Sequence, residues 1–235
     1  MPKKDIALVV GAGTGLGGAL VKCFADAGMT VAAALRNPDK LAPLMEELDG
    51  RAGPFACDST DEDAVGDLFE KVTADLGAPT LVVYNASAFL KKSFLETTAE
   101  DLEQCWRTGC LGAFFVGQAA VRGMTAKGSG TIIFTGATAS LRGGAGFLTM
   151  AVPKFGLRAL AQSMAREFGS QGIHVAHVII DGQIMSDARA ELAKERPPDG
   201  LLDADAIARN YLNLHNQHRS AWTQEMDLRP WVEKF

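Results

Sequence analysis

Long apolar runs, basic tracts and metal-type cysteine spacing are all missing from this chain, and each absence removes a class of function. No stretch approaches the roughly 20 consecutive apolar residues that a membrane-spanning helix needs, so no membrane partner is expected. The 28 Asp and Glu outnumber the 23 Lys and Arg, for a formal net charge of −5. No basic run stands out beyond the pairs Lys3-Lys4 and Lys91-Lys92, which read as solvated surface, so no nucleic-acid partner is expected either. The four cysteines (Cys23, Cys57, Cys105, Cys110) show no Cys-x-x-Cys spacing, which argues against a zinc site and against a disulfide framework. They read as core or surface thiols of a cytoplasmic protein. The N-terminus runs directly into an apolar strand-like segment without a charged leader or cleavage signal, which also leads us to expect a cytoplasmic location. Internal repeats and low-complexity tracts are absent.

What the chain does have is glycine in one informative place. Leu8-Val9-Val10-Gly11-Ala12-Gly13-Thr14-Gly15-Leu16-Gly17-Gly18 is an apolar run ending in glycines that open a helical pattern, Ala19 to Ala27. A helix that starts there offers unpaired N–H groups and a positive dipole end to a pyrophosphate. Glycines let the backbone approach the ligand closely and supply the dihedrals of the tight turn. Gly13-x-Gly15-x-x-Gly18 alone would be weak, but its position after a strand at the N-terminus gives it weight. The alternative is a glycine-rich loop without a ligand.

Apolar β-type runs recur at Ile6 to Val10, Thr30 to Leu35, Ala52 to Ala56, Thr80 to Tyr84, Thr131 to Thr135 and His174 to Ile180. Helical patterns fall between them at Ala64 to Leu76, Asp101 to Lys127 and Val152 to Gln171. Such alternation predicts an α/β fold, a Rossmann-type doubly wound parallel sheet with helices on both faces. A length of 235 residues with 47% hydrophobic content suits a single dinucleotide-binding domain over residues 1–235. The charged stretch Ser186 to Leu201 follows the last clear strand, where ligands of open α/β sheets bind. It is a candidate lid or an ordinary surface loop.

The pattern Gly11-x-x-x-Gly15-x-Gly17, then Cys57-Asp58, then Asn85-Ala86-Ser87, then Lys154 at the head of a long helix resembles the short-chain dehydrogenase/reductase family over nearly the whole chain. The resemblance implies that Gly11, Gly13, Thr14, Gly15, Leu16 and Gly17 hold the dinucleotide, that Asp58 and Ser59 hold its adenine, and that Asn85, Ala86 and Ser87 line it. Ser87 departs from the usual Asn-Ala-Gly. Asp181-Gly182 stands where the family usually has Pro-Gly, and Gly182 with Ser186 would lie against the nicotinamide end. The resemblance also implies a homodimer or homotetramer, paired through the helical segments Asp101 to Lys127 and Val152 to Gln171.

Cofactor choice follows from charge. An NAD site places a carboxylate at the end of the second strand, whereas a 2′-phosphate needs a cation there. This chain has Leu35-Arg36-Asn37. Arg36 can hydrogen-bond and neutralise the phosphate, which favours NADP(H). The alternative for Arg36 is a solvated loop arginine.

The catalytic motif is where this chain departs from the family. Aligning Lys154 with the lysine of Tyr-x-x-x-Lys puts Met150 at the tyrosine, Ala137 at the serine and Gly109 at the asparagine. The chain has two tyrosines, Tyr84 and Tyr211, and none between them. Ser140 to Phe147 and Trp222 to Phe235 resemble a divergent subgroup that keeps the lysine and has an apolar residue at the tyrosine position. Lys154 alone can bind the ribose hydroxyls. The candidates for a surrogate proton donor are Lys154, Thr138, Ser140, Thr149 and water, while Tyr84 should face away from the cofactor by strand alternation. His174 and His177 differ in strand parity and read as core residues. The chain is thus expected to be an NADP(H)-dependent oxidoreductase with a small-molecule substrate and a degenerate tetrad. Alternatives are an NADP(H)-binding sensor or interaction scaffold without turnover, or a non-redox enzyme on the same scaffold.

Overall fold

The structure is a computed structural model that describes residues 5–233. The Lys3-Lys4 pair and the last two residues of the segment Trp222 to Phe235 lie outside the described residues. The sheet comprises β1 (Ile6–Val10), β2 (Thr30–Leu35), β3 (Ala52–Ala56), β4 (Leu81–Tyr84), β5 (Gly130–Thr135), β6 (Ile173–Ile180) and β7 (Glu225–Leu228). Its order is β3-β2-β1-β4-β5-β6-β7, and every neighbouring pair is parallel. Strand order reverses between β1 and β4, so a crevice opens beyond their carboxyl ends. The helices are α1 (Leu16–Asp26), α2 (Ala42–Leu48), α3 (Glu62–Asp75), α4 (Ala99–Trp106), α5 (Gly112–Thr125), α6 (Leu148–Phe168), α7 (Ala190–Lys194) and α8 (Ala204–His215).

Side-chain alternation divides the strands between two cores. Ala7 and Val9 pack with Leu20 and Phe24 of α1 and with Ile207 and Tyr211 of α8. Leu8 and Val10 pack on the opposite face with α3, α5 and α6, through Leu68, Val116 and Leu157. Both faces of the sheet are covered, which is why its strands are continuous apolar runs.

The helix expected over Asp101 to Lys127 is α4 and α5 joined by a π turn, Arg107–Leu111. This turn lies tight against α6. A Cβ on Gly109 would fall 2.7 Å from Pro153 Cβ, and one on Gly156 would fall 2.8 Å from Cys110 Sγ. Helix α6 begins at Leu148, four residues before the expected start, so Lys154 sits in its second turn, just after Pro153. Pro153 can donate no backbone hydrogen bond there.

Four elements were not anticipated: α2, α7, α8 and β7. Helix α8 opens on Asp203, whose carboxylate accepts from the Ala206 N–H at 2.7 Å, and it buries Ile207, Ala208, Tyr211 and Leu214. The segment 186–201 includes α7 and is tied at both ends. Arg189 donates to the Ile184 carbonyl, Leu202 pairs with Ile184, and Trp231 Nε1 donates to the Pro198 carbonyl at 3.1 Å. Among the described residues no helix is long and apolar enough to cross a membrane, and no cluster of residues is suited to a metal ion.

Candidate dinucleotide site and the surroundings of Lys154

The glycines after β1 do different jobs. Gly11 has φ of +90°, and a Cβ on it would lie 2.5 Å from the Ala86 amide nitrogen, so only glycine lets β1 meet the loop after β4 here. Asn85 Nδ2 donates to the Gly11 carbonyl at 3.1 Å and fastens that junction. A Cβ on Gly17 would lie 2.3 Å from the Gly11 carbonyl oxygen, so Gly17 seats α1 against the turn. Gly13 and Gly15 instead have nothing within 4 Å of the position a Cβ would take. A Cβ on Gly18 would lie 3.0 Å from the Gly13 oxygen, which makes Gly18 a packing residue of α1. Gly11 and Gly17 thus shape the turn while Gly13 and Gly15 leave it open, so the spacing Gly11, Gly15, Gly17 and the spacing Gly13-x-Gly15-x-x-Gly18 overlap only in part. Helix α1 has no side-chain cap and no acidic residue in its first turn. Its first N–H groups and its dipole are directed at the open side of the turn, an anion-binding arrangement. Thr14 beside it is exposed, whereas Leu16 packs into the core.

Arg36 stands exposed one residue past β2, and its charge reaches Asp58. The Asp58 carboxyl is held below its ordinary range mainly by a hydrogen bond from the Thr60 N–H, and then by the Thr60 hydroxyl and Arg36. Ser59 is buried, and its hydroxyl lies 3.1 Å from the Tyr84 hydroxyl, so its side chain is committed inward. Asn85, Ala86 and Ser87 follow β4 at the crevice, and Ser87 is exposed. Gly182, with φ of +153°, has its vacant Cβ position 2.8 Å from Pro230, so glycine there lets the C-terminal segment pack. Ser186 Oγ accepts from Arg189.

Lys154 is 4% exposed, and its Nζ donates to the Thr135 carbonyl at 2.6 Å. Burial penalises its charged form and brings its pKa down to about 8. Met150 lies one helical turn before it, partly buried. Ala137 ends the segment after β5, and its N–H donates to Ser140 Oγ at 3.1 Å. Neither tyrosine hydrogen-bonds to Lys154. The Tyr84 hydroxyl donates to the Thr108 carbonyl, in the core shared with α3, α5 and α6. The Tyr211 hydroxyl lies 2.9 Å from Thr135 Oγ1, in the core shared with α1 and α8. Burial raises both phenols well above their ordinary value. Ser140 and Thr149, two candidate donors, are fully or almost fully buried, and Thr149 Oγ1 donates inward to the Leu90 carbonyl at 2.7 Å. Thr138 remains half-buried at the carboxyl end of β5.

Sequence reasoning noted Asp181 only as a replaced proline, and missed its partners. The carboxylate is buried, accepts the Thr138 hydroxyl, and lies 3.3 Å from Arg229 Nη2. An aspartate at a position where proline is usual is the signal of this contact in the sequence. A second network was also missed. His177 Nδ1 is 3.2 Å from Glu225 Oε2, which accepts from Arg158 Nε at 2.7 Å, and His177 Nε2 is 3.4 Å from Ser140 Oγ. Desolvation brings the His177 pKa down to about 4, so the ring is neutral at pH 7. All four thiols are free, and burial raises each, Cys57 to about 11, so none is an activated nucleophile.

A parallel sheet with an uncapped glycine turn at its strand-order reversal defines a Rossmann-type nucleotide-binding protein. The short chain dehydrogenase family pattern matches residues 5–197 of this chain, which therefore belongs to that family. A short-chain dehydrogenase/reductase of Armillaria gallica is 35% identical over 176 residues, 72% of this chain and 67% of that one. A human 3-oxoacyl-[acyl-carrier-protein] reductase is 27% identical over 190 residues, 81% of this chain and 80% of the relative. The crystal structure of a short-chain dehydrogenase from Rhodopseudomonas palustris superposes with a TM-score of 0.85 at 40% identity, covering 98% of this chain and 100% of that one. A metagenomic short-chain oxidoreductase in complex with NADP has a TM-score of 0.84 at 23% identity, covering 97% and 98%, and so shares the fold.

Proposed function

We propose that this chain binds NADP(H) and acts as an NADP(H)-dependent oxidoreductase whose active centre departs from the family tetrad, with Met150, Ala137 and Gly109 at the tyrosine, serine and asparagine positions. The observation that carries this reading is the uncapped start of α1 facing the empty space beside Gly13 and Gly15. A dinucleotide held there supplies or takes up the hydride. Arg36 would neutralise the 2′-phosphate, Asp58 and Ser59 would border the adenine, and Asn85, Ala86 and Ser87 would line the crevice. Lys154 would donate to the ribose, with Gly182 and Ser186 at the nicotinamide end. Pairing into a homodimer or homotetramer belongs to the same reading. One observation favours binding without turnover: both phenols are locked in opposite cores, so no activated phenol accompanies Lys154. Titration with NADPH and NADP⁺, followed by a screen of carbonyl and alcohol substrates, separates the two. Failure of both cofactors to bind would refute the first reading and the second.

A further inference from the structure

We propose that Asp181 sets the hydrogen-bonding sense of the substrate site: it accepts a hydrogen bond from the Thr138 hydroxyl, leaving Thr138 an acceptor that selects an apolar secondary alcohol over the matching ketone. This rests on the NADP(H)-binding reading and adds a substrate class to it. Asp181 closes β6 and is 3% exposed, with its N–H donating to the Leu228 carbonyl of β7 at 2.8 Å. One carboxylate oxygen accepts from Thr138 Oγ1, and the other faces Arg229, which also pairs with Asp227. A threonine hydroxyl owns one proton and two lone pairs. Here the proton is directed at a carboxylate, a strong acceptor. Only the lone pairs of Thr138 remain for a ligand.

Thr138 is half-buried at the carboxyl end of β5, the end of the sheet that carries the glycine turn and Asn85. The neighbouring hydroxyls do not restore a donor, because Ser140 Oγ is occupied by the Ala137 N–H and His177, and Thr149 donates to Leu90. A ketone oxygen can only accept and meets an acceptor, whereas an alcohol hydroxyl can donate to it. Unpaired polar contacts of this kind discriminate strongly between otherwise similar ligands. Half-exposed apolar side chains stand at the same end of the sheet. Phe89 and Phe147 stack at 5.1 Å and 11° between the loop after β4 and the start of α6, and Met150 N donates to the Phe147 carbonyl at 3.0 Å.

The test titrates cyclohexanol with cyclohexanone, borneol with camphor, and menthol with menthone by saturation-transfer NMR. The protein is first saturated with tetrahydro-NADP, whose ring cannot give up a hydride, so binding is read without turnover. The alcohol of each pair that binds should bind about tenfold tighter than its ketone, a difference equivalent to one well-made hydrogen bond. Thr138→Val keeps the side-chain shape and should abolish the preference. Asp181→Ala frees the Thr138 proton and should abolish or reverse it. Circular dichroism checks both variants, and Thr138→Val carries the test if Asp181→Ala does not fold. No binding of tetrahydro-NADP would overturn the cofactor reading together with this one. Binding of tetrahydro-NADP with equal affinities within the pairs, with no pair bound, or with a preference that survives Thr138→Val would overturn the role of Asp181 alone.

Discussion

Substitution within the glycine turn should separate residues that hold the fold from residues that leave room for a ligand. A Cβ on Gly17 would lie 2.3 Å from the Gly11 oxygen and 2.8 Å from Ala12 Cα, backbone atoms that cannot rotate away. Gly17→Ala must therefore shift α1 off the turn, and overpacking of this sort costs about 1–3 kcal/mol. In a domain of this size about 1 kcal/mol moves Tm by roughly 2–4 °C, so a clear drop is expected. Gly15 is different, because nothing lies within 4 Å of its Cβ position. Gly15→Val should cost the fold little, but its side chain occupies the space in front of the uncapped α1 N-terminus. Hydrogen bonds to a charged group contribute about 1.5–3 kcal/mol each, so displacing the pyrophosphate from even one N–H weakens binding at least about tenfold. Circular dichroism melts and isothermal titration with NADPH measure the two effects independently. Unchanged NADPH affinity in Gly15→Val, or a wild-type melt in Gly17→Ala, would refute the division of roles.

Three further outcomes are expected. Arg36→Ala should remove most of a preference for NADPH over NADH, since the lost charge-assisted contact is worth about 1.5–3 kcal/mol; equal affinities in the unmodified protein would sink the choice of NADP(H). Simple ketones should be reduced very slowly, with Met150→Tyr giving little and Met150→Tyr with Ala137→Ser appreciably more, because groups that act together are non-additive; brisk ketone turnover unaffected by Lys154→Ala would show a different proton donor. Stability should fall as pH drops from about 6.5 towards 4, because the unfolded chain protonates His177 through its ordinary range while the folded chain, with its value near 4, does not. His174 and His215, lowered by burial, and Glu225, lowered chiefly by Arg158, push the same way. The His177 share is at most about 3 kcal/mol. Denaturant titrations at pH 7 and pH 5 should show the loss, and His177→Gln should shrink it.

The glycine turn was legible because it is made by backbone approach, which leaves its mark as glycine. Gly11, Gly15 and Gly17 sit after an apolar run in a pattern that only a strand, a turn and a helix satisfy, and six of the seven strands carried enough apolar residues to be seen. Strand β7 escaped because Glu-Met-Asp-Leu is four residues long with two charges, and its place is set by partners far along the chain. Glu225 is held by Arg158 of α6 and faces His177. The π turn escaped for a related reason. The amphipathic pattern runs unbroken through Arg107–Leu111, and at that turn Gly109 lies tight against Pro153, a contact between residues more than forty positions apart. Asp181 was visible as an oddity, but its meaning required Thr138 and Arg229, which lie on different elements.

If Met150, Ala137 and Gly109 stand at the tyrosine, serine and asparagine positions, as proposed, their surroundings bear on how readily the usual groups could be restored. The space a side chain on Gly109 would need is filled by Pro153, so Gly109→Asn is blocked unless α6 also changes. The Ala137 N–H is taken by Ser140, and the Asp181 carboxylate is matched by Thr138 and Arg229. Gly109 and Asp181 each meet a complementary residue from another part of the chain, and for Asp181 that complement leaves a polar group turned in a defined sense. A site maintained this way is under a structural constraint of its own. Placing a phenol at Met150 changes one position while Gly109 and Ala137 stay as they are, which is the physical reason a single substitution there should recover so little.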